Sequence, residues 1–261
     1  CLYLLVRLDD VTRNFLGASE PFWQKPVFIL FLASSIVFIS FGIRQSFGLF
    51  MLPITMDLGW GRELLSAAFA TQNLMIGFAA PFAGALADRW GASKTVALGG
   101  CIFVLGIVTM SQSTSPEWMF AGGGLMAGIA LGACGLPLIL SVVGQIAPKS
   151  RRSLWIGIAT ASATGGQLLI VPLSQSILGD YGWGSSLLAL SLIAGLIVPM
   201  AFSMSGGISL SLIKDTNLDI KQALNFAARH SGYILLVIGF FACGFTFISL
   251  LSTRRYMTCG C

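Results

Sequence analysis

Gly84-Ala85-Leu86-Ala87-Asp88-Arg89-Trp90-Gly91-Ala92-Ser93-Lys94 is a short charged joint between two long apolar runs, and it shows how the whole chain is to be read. On its amino-terminal side Leu64 to Ala87 carries no charge, and on the other side neither does Thr95 to Pro116. The same pattern continues outward in both directions. Apart from Arg44, uncharged stretches also run from Pro26 to Met56, Trp118 to Pro148, Ser153 to Gly179, Tyr181 to Ile213 and His230 to Thr253. Each is long enough to cross about 30 Å of hydrocarbon at about 1.5 Å per residue. Only 10% of the 261 residues are charged, against about 25% in ordinary soluble domains, and the mean hydropathy is +0.86. The chain therefore belongs in lipid, where an open strand would leave its backbone groups unsatisfied and a helix does not. A transmembrane barrel would show runs of about ten residues with alternating polarity, and these runs do not alternate. An all-α membrane protein with seven crossings is expected.

The basic residues cluster in alternate connections. Arg7, Arg13 and Lys25 precede the first run; Arg89 and Lys94 follow the second; Lys149, Arg151 and Arg152 follow the fourth; Lys214, Lys221 and Arg229 follow the sixth. The opposite connections hold only Arg62, so the positive-inside rule puts the amino terminus in the cytoplasm. This pattern accounts for the net charge of +5 without invoking nucleic acid. The expected organisation is a cytoplasmic segment at 1–26, a six-helix transmembrane bundle at 27–204, a cytoplasmic connector with an amphipathic helix at 205–230, and a seventh helix with its tail at 231–261. Within the bundle the helices are expected at Val27 to Met51, Leu64 to Ala87, Thr95 to Ser113, Trp118 to Gln145, Leu154 to Leu178 and Gly184 to Met204. Because the chain opens on Cys1 and the seventh run meets Arg254 and Arg255 where an outer exit should be poor in charge, a truncated chain is expected.

An internal repeat is visible at two helix ends. Pro81, Leu86, Asp88, Trp90 and Gly91 are echoed by Pro172, Leu178, Asp180, Gly182 and Trp183. By the helix count the first aspartate is cytoplasmic and the second external, as two inverted three-helix units require. Gly124, Gly128 and Gly132 in the fourth run, and Gly157, Ala161 and Gly165 in the fifth, are small residues at the spacing that lets helices approach closely.

The joint resembles the signature loop between the second and third helices of the major facilitator superfamily, roughly Gly-x-x-x-Asp-Arg-x-Gly-Arg-Arg/Lys. That resemblance implies a gating motif of Gly84, Asp88, Arg89, Gly91 and Lys94, with Asp88 and Arg89 in a latch on the cytoplasmic side; Ala92 departs from the usual basic residue. Phe41 to Phe50, Leu58-Gly59-Trp60-Gly61-Arg62, Arg151-Arg152-Ser153, Gly165-Gly166-Gln167 and Gly182-Trp183 are similar to the monocarboxylate and oxalate/formate branch, as is Phe240 to Phe245. Ser153 and Gly184 stand where that branch has glycine and arginine, and the fourth helix lacks the arginine of many proton-coupled exporters. The resemblance implies a major facilitator-type six-helix bundle plus a seventh helix. It also implies a secondary transporter of small organic anions working by alternating access as an antiporter or symporter, with a coupling proton or counter-anion and no cofactor. The expected location is the plasma (inner) membrane. A major facilitator carrier for another small solute, or a non-transporting truncated membrane protein, are the alternatives.

Arg44 interrupts an otherwise uncharged run. A mid-helix arginine costs roughly 2.5 to 3.5 kcal/mol on insertion scales, so it should face water or a partner. Its planar fork suits a carboxylate, whereas Asp57 lies too far along the helix to pair with it easily. The expected substrate-binding set is Arg44, Gln45, Gln72, Asn73 and Gln167. Periodicity leaves open whether the uncharged members, and Gln145, line a pathway or bond between helices. The six cysteines and the single His230 show no metal-ligand spacing, and no nucleophile, base and acid cluster appears, so neither a metal centre nor an enzyme is expected.

Overall fold

A computed structural model describes residues 26–204, Lys149 excepted. The expected connector at 205–230, the seventh helix, His230 and nearly all of the amino-terminal segment lie outside the described residues. The described residues fall in one compact unit, 1–212, and are helical throughout apart from short joints. The first span is α1 (Pro26–Leu58), the second α2 (Arg62–Trp90) and the third α3 (Ala92–Ser111). The fourth span is assembled from α4 (Pro116–Met119), a π-helical stretch (Phe120–Met126), α5 (Ala127–Cys134) and α6 (Leu136–Ile146). One long helix, α7 (Arg152–Gly195), and the short α8 (Ile197–Ser203) complete the unit.

Among the described residues five helical segments are long and apolar enough to cross a membrane, and the last, Arg152–Ser203, has 52 residues. Straight, it would measure about 78 Å, more than twice the hydrocarbon thickness. It is not straight, because Gly182 sits at φ 78, ψ 175 in its middle. The part before Gly182 is the fifth span and the part after it, with α8, is the sixth.

Packing register gives the direction of every span. Arg44 meets Asn73 and Phe47 meets Phe69, so the second span runs antiparallel to the first. Gly124, Gly128 and Gly132 meet Ala68, Gln72 and Ala79 in that order, so the fourth is parallel to the second. Gly99 meets Cys134 and Gly106 meets Gly122, so the third opposes the fourth. Phe38 meets Gly166, Ser46 meets Ser174 and Asp57 meets Trp183, which makes the fifth parallel to the first. Ser93 meets Ala201 and Gly100 meets Ile197, so the sixth opposes the third. The chain therefore reverses at Gly182, and six crossings alternate in direction.

This arrangement is an inverted repeat. Exchanging spans one, two and three for four, five and six turns the parallel pair of first and fifth into the parallel pair of fourth and second, and maps the antiparallel third and sixth onto themselves. The two related helix ends both turn on a glycine in the left-handed region, Gly91 at φ 95 and Gly182 at φ 78, where a Cβ would be strained.

Two expectations need correction. The first helix continues past Met51 to Leu58 through Pro53, which removes one backbone hydrogen bond without ending the helix. In the fifth span the Gly157, Ala161, Gly165 row is not the packing face: Gly157 and Ala161 are exposed, and a Cβ on Gly157 would meet nothing within 4 Å. The buried row is Ala159, Ala163, Gly166, Ile170 and Ser174. There the backbones come so close that a Cβ on Gly166 would lie 2.0 Å from the Phe38 carbonyl oxygen. Lipid tails are as apolar as leucine, so helix association here depends on such close contact and on interhelical hydrogen bonds. The bonds are present: Ser174 Oγ lies 3.0 Å from Ser46 Oγ with both residues fully buried, and Ser93 Oγ donates to Ala201 O at 2.5 Å. At the far end of the first span, Trp183 Nε1 donates to Asp57 Oδ2 at 2.7 Å. The fourth-span glycines behave as their spacing predicts, with a Cβ on Gly128 falling 2.6 Å from Met75 Cβ and one on Gly132 2.7 Å from Ala79 Cβ.

Candidate functional site

Arg44 lies well inside α1, roughly 27 Å along the axis from Pro26 and roughly 21 Å from Leu58, which puts its side chain near the middle of the span. A cation at that depth needs a partner, and the second span supplies one. Arg44 Nη2 donates to Asn73 Oδ1 at 2.5 Å. The amide is held in that orientation because Asn73 Nδ2 donates back to Phe69 O, one turn earlier, at 2.8 Å. The guanidinium carbon sits 5.8 Å from the centroid of the Phe41 ring, a cation–π distance. Phe47, one turn beyond Arg44, stacks on Phe69 with centroids 6.4 Å apart and planes 10° apart, and leans on Phe103 of α3 at the same separation. A polar layer and an aromatic layer thus join the first two spans side by side.

The arginine is not fully satisfied. Its Nε is buried and has no hydrogen-bond partner among the described residues. A guanidinium has five N–H donors, so this one retains donor capacity on the edge that suits a carboxylate.

Of the expected site residues, the structure brings Arg44 and Asn73 into contact. Gln45 follows Arg44 on α1 and is exposed. Gln72 points elsewhere: it is 3% exposed, lies where the fourth span crosses at Gly128, and its Nε2 has no partner among the described residues. Gln167 is half-buried on the fifth span beside Gly166. Gln145 donates to Ser141 Oγ of its own helix at 3.4 Å. Phe41, Phe69 and the Asp57–Trp183 bond were not singled out from the sequence, although Asp57 is one of few acidic residues at a span end.

In the joint, Asp88 and Arg89 are both exposed on the last turn of α2, and Lys94 is exposed on the first turn of α3. Gly91 closes α2 by donating its N–H to Ala87 O at 2.9 Å, and its own carbonyl accepts from Thr95 Oγ1 at 3.1 Å. Gly84 makes no close backbone approach, since a Cβ there would meet nothing within 4 Å. The glycine this turn requires is Gly91.

Comparison with known proteins follows the same lines. The family model described as Major Facilitator Superfamily matches residues 30–258. Monocarboxylate transporter 11 of Mus musculus is 29% identical over 168 residues, 62% of this chain and 36% of that protein. Monocarboxylate transporter 12-B of Danio rerio is 32% identical over 111 residues, 42% of this chain and 23% of that protein. Monocarboxylate transporter 14 of Homo sapiens is 30% identical over 108 residues, 41% and 21% respectively. The chain thus spans about a third of the length of the first of these relatives. With six alternating spans in an inverted repeat and a family match over most of its length, the chain belongs to the Major Facilitator Superfamily and resembles its monocarboxylate transporter branch.

Proposed function

We propose that this chain serves a secondary active carrier of small organic anions, which works by alternating access and takes the anion at Arg44. Family membership points to an integral multi-pass membrane transporter of small solutes rather than an enzyme. The observation that carries the finer reading is the Arg44 guanidinium, held mid-span by Asn73 and Phe41 with its Nε unpaired among the described residues. A half-buried cation with free donors attracts a carboxylate, and the bidentate geometry selects a planar one. Relatives named for monocarboxylates support the same substrate class. Gln45 and Gln167 are proposed as further polar wall, whereas the burial of Gln72 suits a role between the second and fourth spans. A coupling proton or counter-anion completes the proposed cycle. The test is solute class: proteoliposomes holding the natural protein should accumulate labelled lactate or oxalate and should ignore the matching amides and polyols. Uptake confined to neutral or cationic solutes would overturn the reading.

The proposed orientation, amino terminus in the cytoplasm of the plasma (inner) membrane, rests on charge. Alternating spans put Arg89, Lys94, Arg151 and Arg152 on one side, and Asp57, Glu63, Glu117 and Asp180 on the other. A single cysteine at Ser150 should therefore resist an impermeant thiol reagent added to intact cells, while one at Thr114 should react. The reverse pattern would invert the topology.

For the joint, the proposed role is a latch that biases the carrier between its two openings. Asp88→Asn should cut transport per molecule about tenfold, the weight of a coupling of about 1.4 kcal/mol, with normal abundance. Asp88 is exposed, so its replacement by the isosteric amide should leave the bundle's packing intact. Loss of abundance with unchanged transport per molecule would make it structural.

A further inference from the structure

We propose that Asn73 is a positioning residue that parks Arg44 in the solute-free carrier and yields it to an entering carboxylate; this rests on Arg44 being the anion site. Three observations fit together. The Asn73 amide is locked by its own-helix bond to Phe69 O, so its oxygen, not its nitrogen, faces the arginine. That oxygen is neutral, so it satisfies the guanidinium through one hydrogen bond and lacks the charge that would make the pairing permanent. The unpaired Nε is buried, so a carboxylate that forks across Nε and Nη2 reaches it only after the guanidinium swings away from Asn73.

Solute entry therefore breaks the polar tie between the first and second spans, while the Phe47–Phe69 stack remains as a pivot. Binding is coupled to loosening of one helix pair, which is what a carrier needs if an empty and a loaded state are to differ in mobility. A tie with a purely structural role would have no competitor. The chemistry at Asn73 thus sets how tightly the carrier holds an anion, without Asn73 contacting that anion.

The two roles predict opposite signs on substitution. Asn73→Asp has the same size and places a permanent carboxylate on Arg44, so it should raise the KM for labelled lactate at least about tenfold, the weight of a charge-assisted bond, at normal abundance. Asn73→Ala frees the arginine and should lower the KM about threefold, with the maximal rate per molecule within about twofold. Uptake is measured in proteoliposomes with the natural protein, and with Arg44→Ala as control. If Arg44-dependent uptake persists while Asn73→Asp keeps the wild-type KM or Asn73→Ala raises it, the parking role is wrong and the anion site stands. If Arg44→Ala itself keeps the wild-type KM, the anion site falls and this inference with it. Should the aspartate variant fail to accumulate, the alanine variant decides: a lower KM supports the parking role, and an unchanged or higher one overturns it.

Discussion

Arg44→Ala should reduce uptake of labelled lactate at low concentration by at least about thirtyfold, because truncating one partner of a desolvated charge pair costs about 2 to 5 kcal/mol. Removing the guanidinium also removes the only charge in α1 before Asp57, so the variant should insert in the membrane as well as the wild type or better. The loss must therefore appear in transport per molecule. Arg44→Lys retains the charge but loses the planar fork and the flat contact with the Phe41 ring, so it should fall between alanine and the native residue. Initial uptake rates across a concentration series, normalised to reconstituted protein, separate these outcomes. Equal effects from lysine and alanine would mean that the fork matters more than the charge; no effect from either would remove Arg44 from the site.

The second large effect is structural. Gly166→Ala should destabilise the bundle by about 3 kcal/mol or more, at the upper end of overpacking penalties. The added carbon would fall 2.0 Å from the Phe38 carbonyl oxygen and 2.7 Å from its carbon, and both are backbone atoms that cannot rotate away. On the facing side, a Cβ on Gly42 would crowd Gly166 O at 2.7 Å, so the two backbones are in close contact over more than one turn. Gly157→Ala provides the contrast, since nothing lies within 4 Å of its position and alanine is the better helix former. Thermal unfolding in detergent, followed by the reactivity of the buried Cys134 thiol, should show a large fall for Gly166→Ala and none for Gly157→Ala. Similar behaviour in the two variants would mean that the first and fifth spans do not pack as described.

These two glycines also show where sequence stops being sufficient. The fifth span carries two rows of small residues, and helical period alone cannot say which one faces a neighbour. Spacing favoured Gly157, Ala161 and Gly165, whereas the contact is made on a different face of the helix, at Ala159, Ala163 and Gly166. The fourth span posed no such problem, because its glycines at 124, 128 and 132 form a single row and that row is buried. Its start is less regular than the sequence implied: Gly122, Gly123 and Gly124 lie in a π-helical stretch, and Gly122 packs against the Gly106 backbone of α3.

The six apolar runs of the described region were readable because lipid forbids any charge that is not needed, so charges punctuate the crossings. The inverted repeat was readable at Asp88 and Asp180, yet the helix pairing that gives it meaning required coordinates. Arg44 stood out for the same reason as the spans, as a charge where none is tolerated. Its partner was among the expected site residues but was not distinguished there from Gln72. Arg44 lies 15 residues before Gly59 and Asn73 lies 12 after Gly61, so an antiparallel hairpin brings Gln72 and Asn73 alike to within about one helical turn of the arginine's depth. Hairpin register leaves Gln72 and Asn73 equivalent, and it is the helix face that separates them, since the same turn of α2 directs Gln72 toward Gly128.

The central claim is that a carboxylate binds at Arg44, and equilibrium binding tests it without requiring the transport cycle. Radiolabelled lactate, titrated onto the purified natural protein in detergent and read by scintillation proximity, should bind saturably and be displaced by unlabelled lactate but not by lactamide. The Arg44→Ala protein, folded by the same thermal criterion, should show no saturable binding. Displacement by lactamide as readily as by lactate, or undiminished lactate binding by Arg44→Ala, would contradict the claim.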